Sequence, residues 1–296
     1  MSEDNMQHPE VPVIIIERDD EPKASFWHNT VALTVAAIGI LGVLSMAVLA
    51  SLYIGYKVYN EDHIGVPISV TPAQNIEKLK GHLQKETAEV VLTRDTILDV
   101  PLDFYALHGL QAGIQFEEPD AADTTVYLYS RCADYTPDGK YLGSLVAEGQ
   151  EMQNDCSRLG YMAMADGRMV IGISRSDEVK DYVIERRGSF FRQFILLSDG
   201  VMPLRYYLHG KVERRAIGRK DNQLYLIATC HKETLWDFAD ALREYGFIDA
   251  IYITGGNDYC FYRTRDGMAH DIGTQNIIQR ESMRGIIPWL VFRKME

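Results

Sequence analysis

Positive charge is what this sequence is short of. Thirty lysines and arginines stand against 42 aspartates and glutamates, a formal charge of −12, and the isoelectric point is near 5.2. A surface of that average sign repels a phosphate backbone, which excludes nucleic acid as the chain's partner. Metal-ligand spacing is missing as well. The eight histidines are scattered and His270-Asp271 is only an adjacent pair, so neither a metal nor a cofactor is expected. Internal repeats and low-complexity tracts are missing too. Against these absences, 46% hydrophobic and 10% aromatic residues in 296 exclude a disordered class and suffice for one large domain or two modest ones.

Charge of either sign vanishes between Thr30 and Tyr56. That run, rich in Leu, Ile, Val and Ala, is long enough to cross a bilayer core of about 30 Å as a helix, so residues 30–56 are expected to span a membrane and contact its lipid. Phe26 and Trp27 at one end and Tyr53, Tyr56 and Tyr59 at the other have the placing of aromatic belts. A cleaved signal peptide is the rival reading, since Val48-Leu49-Ala50 offers small residues for a peptidase. The run continues past Ala50 and follows a long acidic N-region, which favours an uncleaved anchor. Residues 1–25 carry seven acidic side chains (Glu3, Asp4, Glu10, Glu17, Asp19, Asp20, Glu21) against Arg18 and Lys23; they read as a disordered tail whose apolar patch, Val11 to Ile16, is a possible docking segment for a protein partner. The weak positive-inside bias of Arg18 and Lys23 over Lys57 places this tail in the cytoplasm and the rest of the chain outside it, in the periplasm if the source is bacterial.

Residues 60–97 read as a linker, with NIEKLKGHLQKETAEVVL as a short amphipathic helix. From residue 98 to 296 the pattern is that of a strand-rich domain. Asp166-Gly167 and Asp199-Gly200 are strong hairpin signals between β-forming runs, and Asp138-Gly139 marks a further turn. LYLIATC (residues 224–230) then reads as a buried strand and TLWDFADALREYG as a helix capped by Thr234, with Leu235, Phe238, Ala239 and Leu242 on one face and Gly246 at its stop. IDAIYIT supplies a second strand. Strand, helix and strand of these lengths make a crossover unit, which puts Cys230 and Thr254 at the same, carboxyl edge of two parallel strands, where ligands usually sit. The fold class is therefore α+β: a mixed sheet domain with hairpins and a C-terminal β-α-β crossover, preceded by one transmembrane helix.

The run from Val212 to Arg263, together with SFFRQFILLSDG before it and RESMRGIIPWLVFRK after it, resembles the phosphodiester glycosidase domain family. That family reads, in order, an Arg-Thr element before a glycine, a strand, a helix with an Ala/Leu face, and a strand ending in Asp-Gly-Gly-Gly-Ser-Ser. Here Arg214, Arg215, Ala216, Ile217 and Gly218 occupy the first element, and Thr254, Gly255, Gly256, Asn257 and Asp258 the last. Thr254 stands where the family has Asp, Arg215 where it has Thr, and Asn257 in place of the third glycine. The family's upstream Asn-Gly-x-Phe-Phe segment has no counterpart. The resemblance implies hydrolysis of a sugar phosphodiester or related envelope glycan, with a carbohydrate or sugar-phosphate ligand; a non-catalytic glycan- or partner-binding protein on the same fold is the alternative.

Cleaving such a linkage asks for an acid toward the leaving phosphate and a carboxylate or water toward the developing oxocarbenium ion. Asp258 is the candidate acid, beside backbone N–H groups of Gly255 and Gly256 that an anion can approach because no Cβ blocks them. Arg214 or Arg215 is a candidate phosphate clamp, and His231, directly after the first parallel strand, a candidate acid/base. The plain readings stand beside these: a solvated hairpin turn, surface ion pairs and a loop histidine. Four cysteines permit disulfides outside the cytoplasm. The crossover brings Cys230 toward Cys260, leaving Cys132 with Cys156; free thiols are the alternative.

Overall fold

The computed structural model describes residues 23–62, 71–81, 86–136, 138–202, 210–254, 258–273 and 285–295. The acidic tail through residue 22, with its Val11–Ile16 patch, and the Gly255-Gly256-Asn257 tripeptide lie outside the described residues. The chain forms two compact units, Met1–His63 and Ile64–Glu296.

In the first unit a single helix, α1, runs from Lys23 to Asp62. Its segment Thr30–Gly55 is apolar on every side and wholly exposed, about 39 Å long at 1.5 Å per residue, and so long enough to cross a membrane. Two of its hydroxyls are satisfied within the helix. Thr34 Oγ1 donates to the carbonyl of Thr30 and Ser45 Oγ to that of Leu41, each at 2.8 Å, which is what an apolar surrounding requires of a polar side chain.

The second unit holds, among the described residues, sixteen strands and three further helices. Helix α2 (Pro72–Leu79) starts at a capping box in which Gln74 N donates to Thr71 Oγ1 and Thr71 N to Gln74 Oε1. Strands β1 (Glu89–Ile97), β2 (Val100–His108), β3 (Leu110–Gln115) and β4 (Val126–Arg131) follow. Next come β5 (Leu145–Ala147), β6 (Gln150–Gln153), β7 (Gly160–Ala165) and β8 (Arg168–Ile173), then helix α3 (Glu178–Glu185). Strands β9 (Ser189–Gln193), β10 (Ile195–Leu197), β11 (Arg215–Lys220) and β12 (Gln223–Thr229) lead to helix α4 (Leu235–Glu244). The chain closes with β13 (Asp249–Ile253), β14 (Cys260–Arg263), β15 (Ala269–Ile272) and β16 (Trp289–Lys294).

Three sheets result, in the orders β1-β2-β12-β11-β13-β10, β15-β14-β4-β16-β3 and β6-β5-β9-β7-β8, and every named pairing is antiparallel. The fold is mixed α+β. Inward side chains of all three sheets share the principal core, with Ile217 and Ile251 from the first, Leu128 and Phe292 from the second, and Met162 and Phe191 from the third. On the other face of the first sheet, α4 lays Leu235, Phe238, Ala239 and Leu242 against Ala216, Ala250 and Phe104. Thr234 Oγ1 accepts from Asp237 N at 3.0 Å, and Gly246 at φ +97 ends the helix, as the sequence predicts.

One expectation is corrected here. The helix expected over residues 75–92 stops at Leu79, and the last four residues of that segment, 89–92, open strand β1. Its β-branched Val90, Val91, Thr93 and Thr96 pair along nine consecutive registers with β2, a ladder that outweighs the helical periodicity. The sheet domain thus begins inside what reads as linker. The crossover is as expected, β12 and β13 running parallel, and β11 lies between them, antiparallel to both. Their carboxyl ends share one edge, and the start of β11 joins them there, Arg215 facing Ile253 on one side and Ala228 on the other.

Candidate functional site

Neighbouring residues on an extended strand face opposite sides of the sheet, and this alternation separates the two candidate arginines. Arg214 turns toward the α4 side, where its Nε donates to the Glu233 carbonyl at 3.0 Å, its Nη2 donates to the Gly210 carbonyl at 2.5 Å, and its guanidinium lies 5.8 Å from the Tyr252 ring. That arginine ties down the chain entering β11. Arg215 turns inward, and its Nη1 donates to the backbone carbonyl of Asp258 at 2.5 Å.

Asp258 lies where the chain leaves the first sheet after β13 and enters the second at β14. The antiparallel register of β14 with β4, Cys260 opposite Ser130, brings it beside the end of β4. Arg131 Nη1 meets its Oδ1 at 3.2 Å, with the arginine side chain 7% and the aspartate side chain 22% exposed. Burial pushes the Asp258 carboxyl above the usual carboxylate range; the Arg131 and Arg215 guanidinium groups pull it back only in part, and the negative charge of Asp134 pushes in the same direction as burial.

Asp134 is the second carboxylate of the cluster. Gln193, fully buried at the end of β9, donates to its Oδ2 at 3.0 Å and accepts at its own Oε1 from the Phe194 N–H at 3.0 Å. Thr254 Oγ1 reaches Asp134 Oδ1 at 3.4 Å. Arg158 stands over the Phe194 ring, 3.6 Å from its centroid; burial holds its guanidinium below the ordinary arginine range while Asp134 and Asp155 oppose that. Two guanidinium nitrogens here, Arg131 Nε and Arg158 Nε, are buried with no hydrogen-bond partner among the described residues. A buried cationic N–H without an acceptor is costly, and an oxyanion ligand satisfies it.

Of the residues the sequence singles out, Asp258, Arg215 and Thr254 therefore come together, whereas Arg214 faces away and His231 is exposed just beyond β12. Arg131, Asp134, Arg158 and Gln193 are not visible to motif reading. The one signal the sequence carries for them is an acid, Asp134, shortly after a strand that ends in arginine. The cysteine pairs do not form: all four thiols are free, with Cys132 and Cys260 buried and Cys156 and Cys230 exposed. Cys260 points into the principal core, while Cys230 sits outside it and donates to Asp103 Oδ1 at 3.5 Å. Burial pushes the Cys230 thiol up to about 11, with Asp103 adding to it, which leaves little nucleophilic thiolate.

No protein-family model matches the chain, and no curated sequence relative is found. Among solved structures it is similar to the catalytic domain of zebrafish N-acetylglucosamine-1-phosphodiester alpha-N-acetylglucosaminidase, auto-inhibited by its pro-peptide. The TM-score is 0.51 and the identity 14%, covering 71% of this chain and 83% of that one. A hypothetical protein from Synechocystis aligns with a TM-score of 0.49 and 10% identity, over 69% of this chain and 62% of that one. At such identity the first likeness is one of fold.

Proposed function

We propose that this protein is a membrane-anchored hydrolase of a sugar phosphodiester or a related envelope glycan, its sheet domain outside the cytoplasm. The observation that carries the reading is the Asp258–Asp134 carboxylate pair among Arg131, Arg158 and Arg215. Asp258, whose pKa burial raises, is the acid: in its protonated form it donates its proton to the leaving phosphate oxygen. Asp134, oriented by Gln193 and Thr254, faces the oxocarbenium side or steers a water toward it. The arginines hold the phosphate oxygens, Arg158 with an N–H that has no acceptor among the described residues. The solved glycosidase domain of similar fold acts, by its name, on a phosphodiester of N-acetylglucosamine, which supports this substrate class.

The test is release of free sugar from sugar-1-phosphodiesters by the full chain in detergent. Asp258→Asn is expected to lower turnover by about 100-fold or more, and activity should fall as pH rises through the Asp258 pKa, since the acid must carry its proton. Wild-type protein inert across a broad panel of such esters would sink the reading. One observation favours a second reading, a glycan-binding protein without turnover: the Asp258 carboxylate is already engaged by Arg131. That reading predicts a melting-temperature rise with ligand and no product.

A further inference from the structure

At the opposite end of β9 from Gln193, a cavity of about 260 Å³ opens between the third sheet and strands β3 and β16. It is smaller than the roughly 300 Å³ at which pockets for drug-sized ligands begin, so its occupant is small. Because β9 is antiparallel to β5 and β7, the turns leaving β5 and β7 and the turn entering β9 gather at one sheet edge. Each places a charged residue in the left-handed region directly before a glycine: Glu148 at φ +50, Asp166 at φ +51 and Arg187 at φ +54. All three line the cavity. A non-glycine residue held there costs about 1 kcal/mol, and such strain collects at ligand sites.

The turns are fixed. Gly149 N donates to the Gly188 carbonyl at 2.7 Å, and Arg187 N and Gly188 N donate to the carbonyls of Ile184 and Val183 at the end of α3. A Cβ on Gly188 would lie 2.1 Å from the Met164 carbonyl oxygen, so that glycine is obligatory. Two of the cavity's cations are already committed. Arg293 pairs with Asp123 at 2.7 Å and Arg186 stands 3.9 Å from Asp166. Arg187 and Glu148 are different: both are exposed, and neither side chain makes an ion pair or hydrogen bond among the described residues. The hydrogen bond between Gly149 and Gly188, the residues that follow them, keeps the two turns adjacent.

The geometry points to a binding site for a small zwitterion, a molecule carrying one oxyanion and one ammonium, with Arg187 taking the oxyanion and Glu148 the ammonium. Free amino acids and the phosphoethanolamine group of a lipid share this chemistry. Strand β3 adds polar backbone. Ile114 N, which donates to Ser189 Oγ at 3.0 Å, points away from β16, and by alternation the N–H and C=O of Ala112 point the same way, toward the cavity.

The experiment is a thermal-shift titration of the full chain in detergent with O-phosphoethanolamine and, separately, with glycine, against inorganic phosphate and ammonium chloride at equal ionic strength. At about ten times Kd a zwitterion should raise the melting temperature by about 3 °C or more, with the single-charge controls giving less than half. A response to O-phosphoethanolamine alone assigns a headgroup, and a response to glycine assigns amino acids. Arg187→Gly and Glu148→Asn relieve backbone strain and so should fold at least as well as the wild type, yet each should abolish the shift. Any phosphate bound at the Asp258 cluster cancels in that comparison. Equal shifts from the controls, no shift with either zwitterion, or a shift retained in both variants would overturn the proposal.

Discussion

The two ends of strand β9 treat charge in opposite ways. At the Gln193 end the charged groups are engaged: Arg131 pairs with Asp258, Arg215 donates to the Asp258 backbone carbonyl, and Asp134 is held by Gln193 and Thr254. At the Ser189 end, Arg187 and Glu148 are exposed on strained turns and, among the described residues, neither side chain has a partner. The difference follows from desolvation. A charge removed from water is tolerated only with a partner, whereas an exposed charge keeps its hydration and needs none. Local order at the first end therefore comes from side-chain partners, one ion pair among them, and at the second from the backbone of three turns.

That contrast can be broken most directly at Arg131. Replacing it with alanine leaves the Asp258 carboxyl buried with one cation fewer and should cost about 3 kcal/mol in urea unfolding; a loss under about 1 kcal/mol would mean that this end is as well hydrated as the other. A smaller effect is expected from Asp258→Asn, and its sign depends on pH. Because burial raises the Asp258 pKa in the folded state, its favourable contribution is full below the unfolded value of about 3.9 and is lost as pH rises through the folded value. Asparagine stays neutral throughout. The variant should melt higher than wild type at pH 7 and lose that advantage below about pH 4, even as it loses turnover. A lower melting temperature at pH 7 would assign Asp258 to stability rather than to a site.

The smallest effects sharpen the other side of the comparison. Leu98, at φ +49 in the β1–β2 turn and 55% exposed, shares the backbone strain of Arg187 but lines no part of the arginine-bearing cavity. Leu98→Asn and Arg187→Gly should each stabilise by about 0.5–1 kcal/mol, measured by thermal or chemical unfolding. Only the second should change ligand binding.

Much of the architecture was legible from the chain. The charge-free run over Thr30–Gly55, the Asp166-Gly167 and Asp199-Gly200 turns at positive φ, and α4 with its Thr234 cap all follow from local chemistry. Residues 89–92 read as helix because helical and strand signals overlap there, and the contest is decided by β2, a partner that no local window contains. The cluster was half legible. Asp258, Arg215 and Thr254 could be picked out near glycines and strand ends, but Arg131 lies 127 residues from Asp258, and Asp134 lies 59 from Gln193 and 120 from Thr254. The one local mark they carry is an acid shortly after a strand that ends in arginine.

The sequence by itself determined the apolar helix, the turns and the amphipathic face of α4, because each depends on residues within a few positions of one another. Tertiary structure alone decided that β11 enters between β12 and β13, that Arg215 faces inward while Arg214 faces out, and that an arginine and a glutamate from separate turns share one cavity. Those outcomes rest on strand order and register, which are set by burying the three sheets' inner faces together rather than by any local preference.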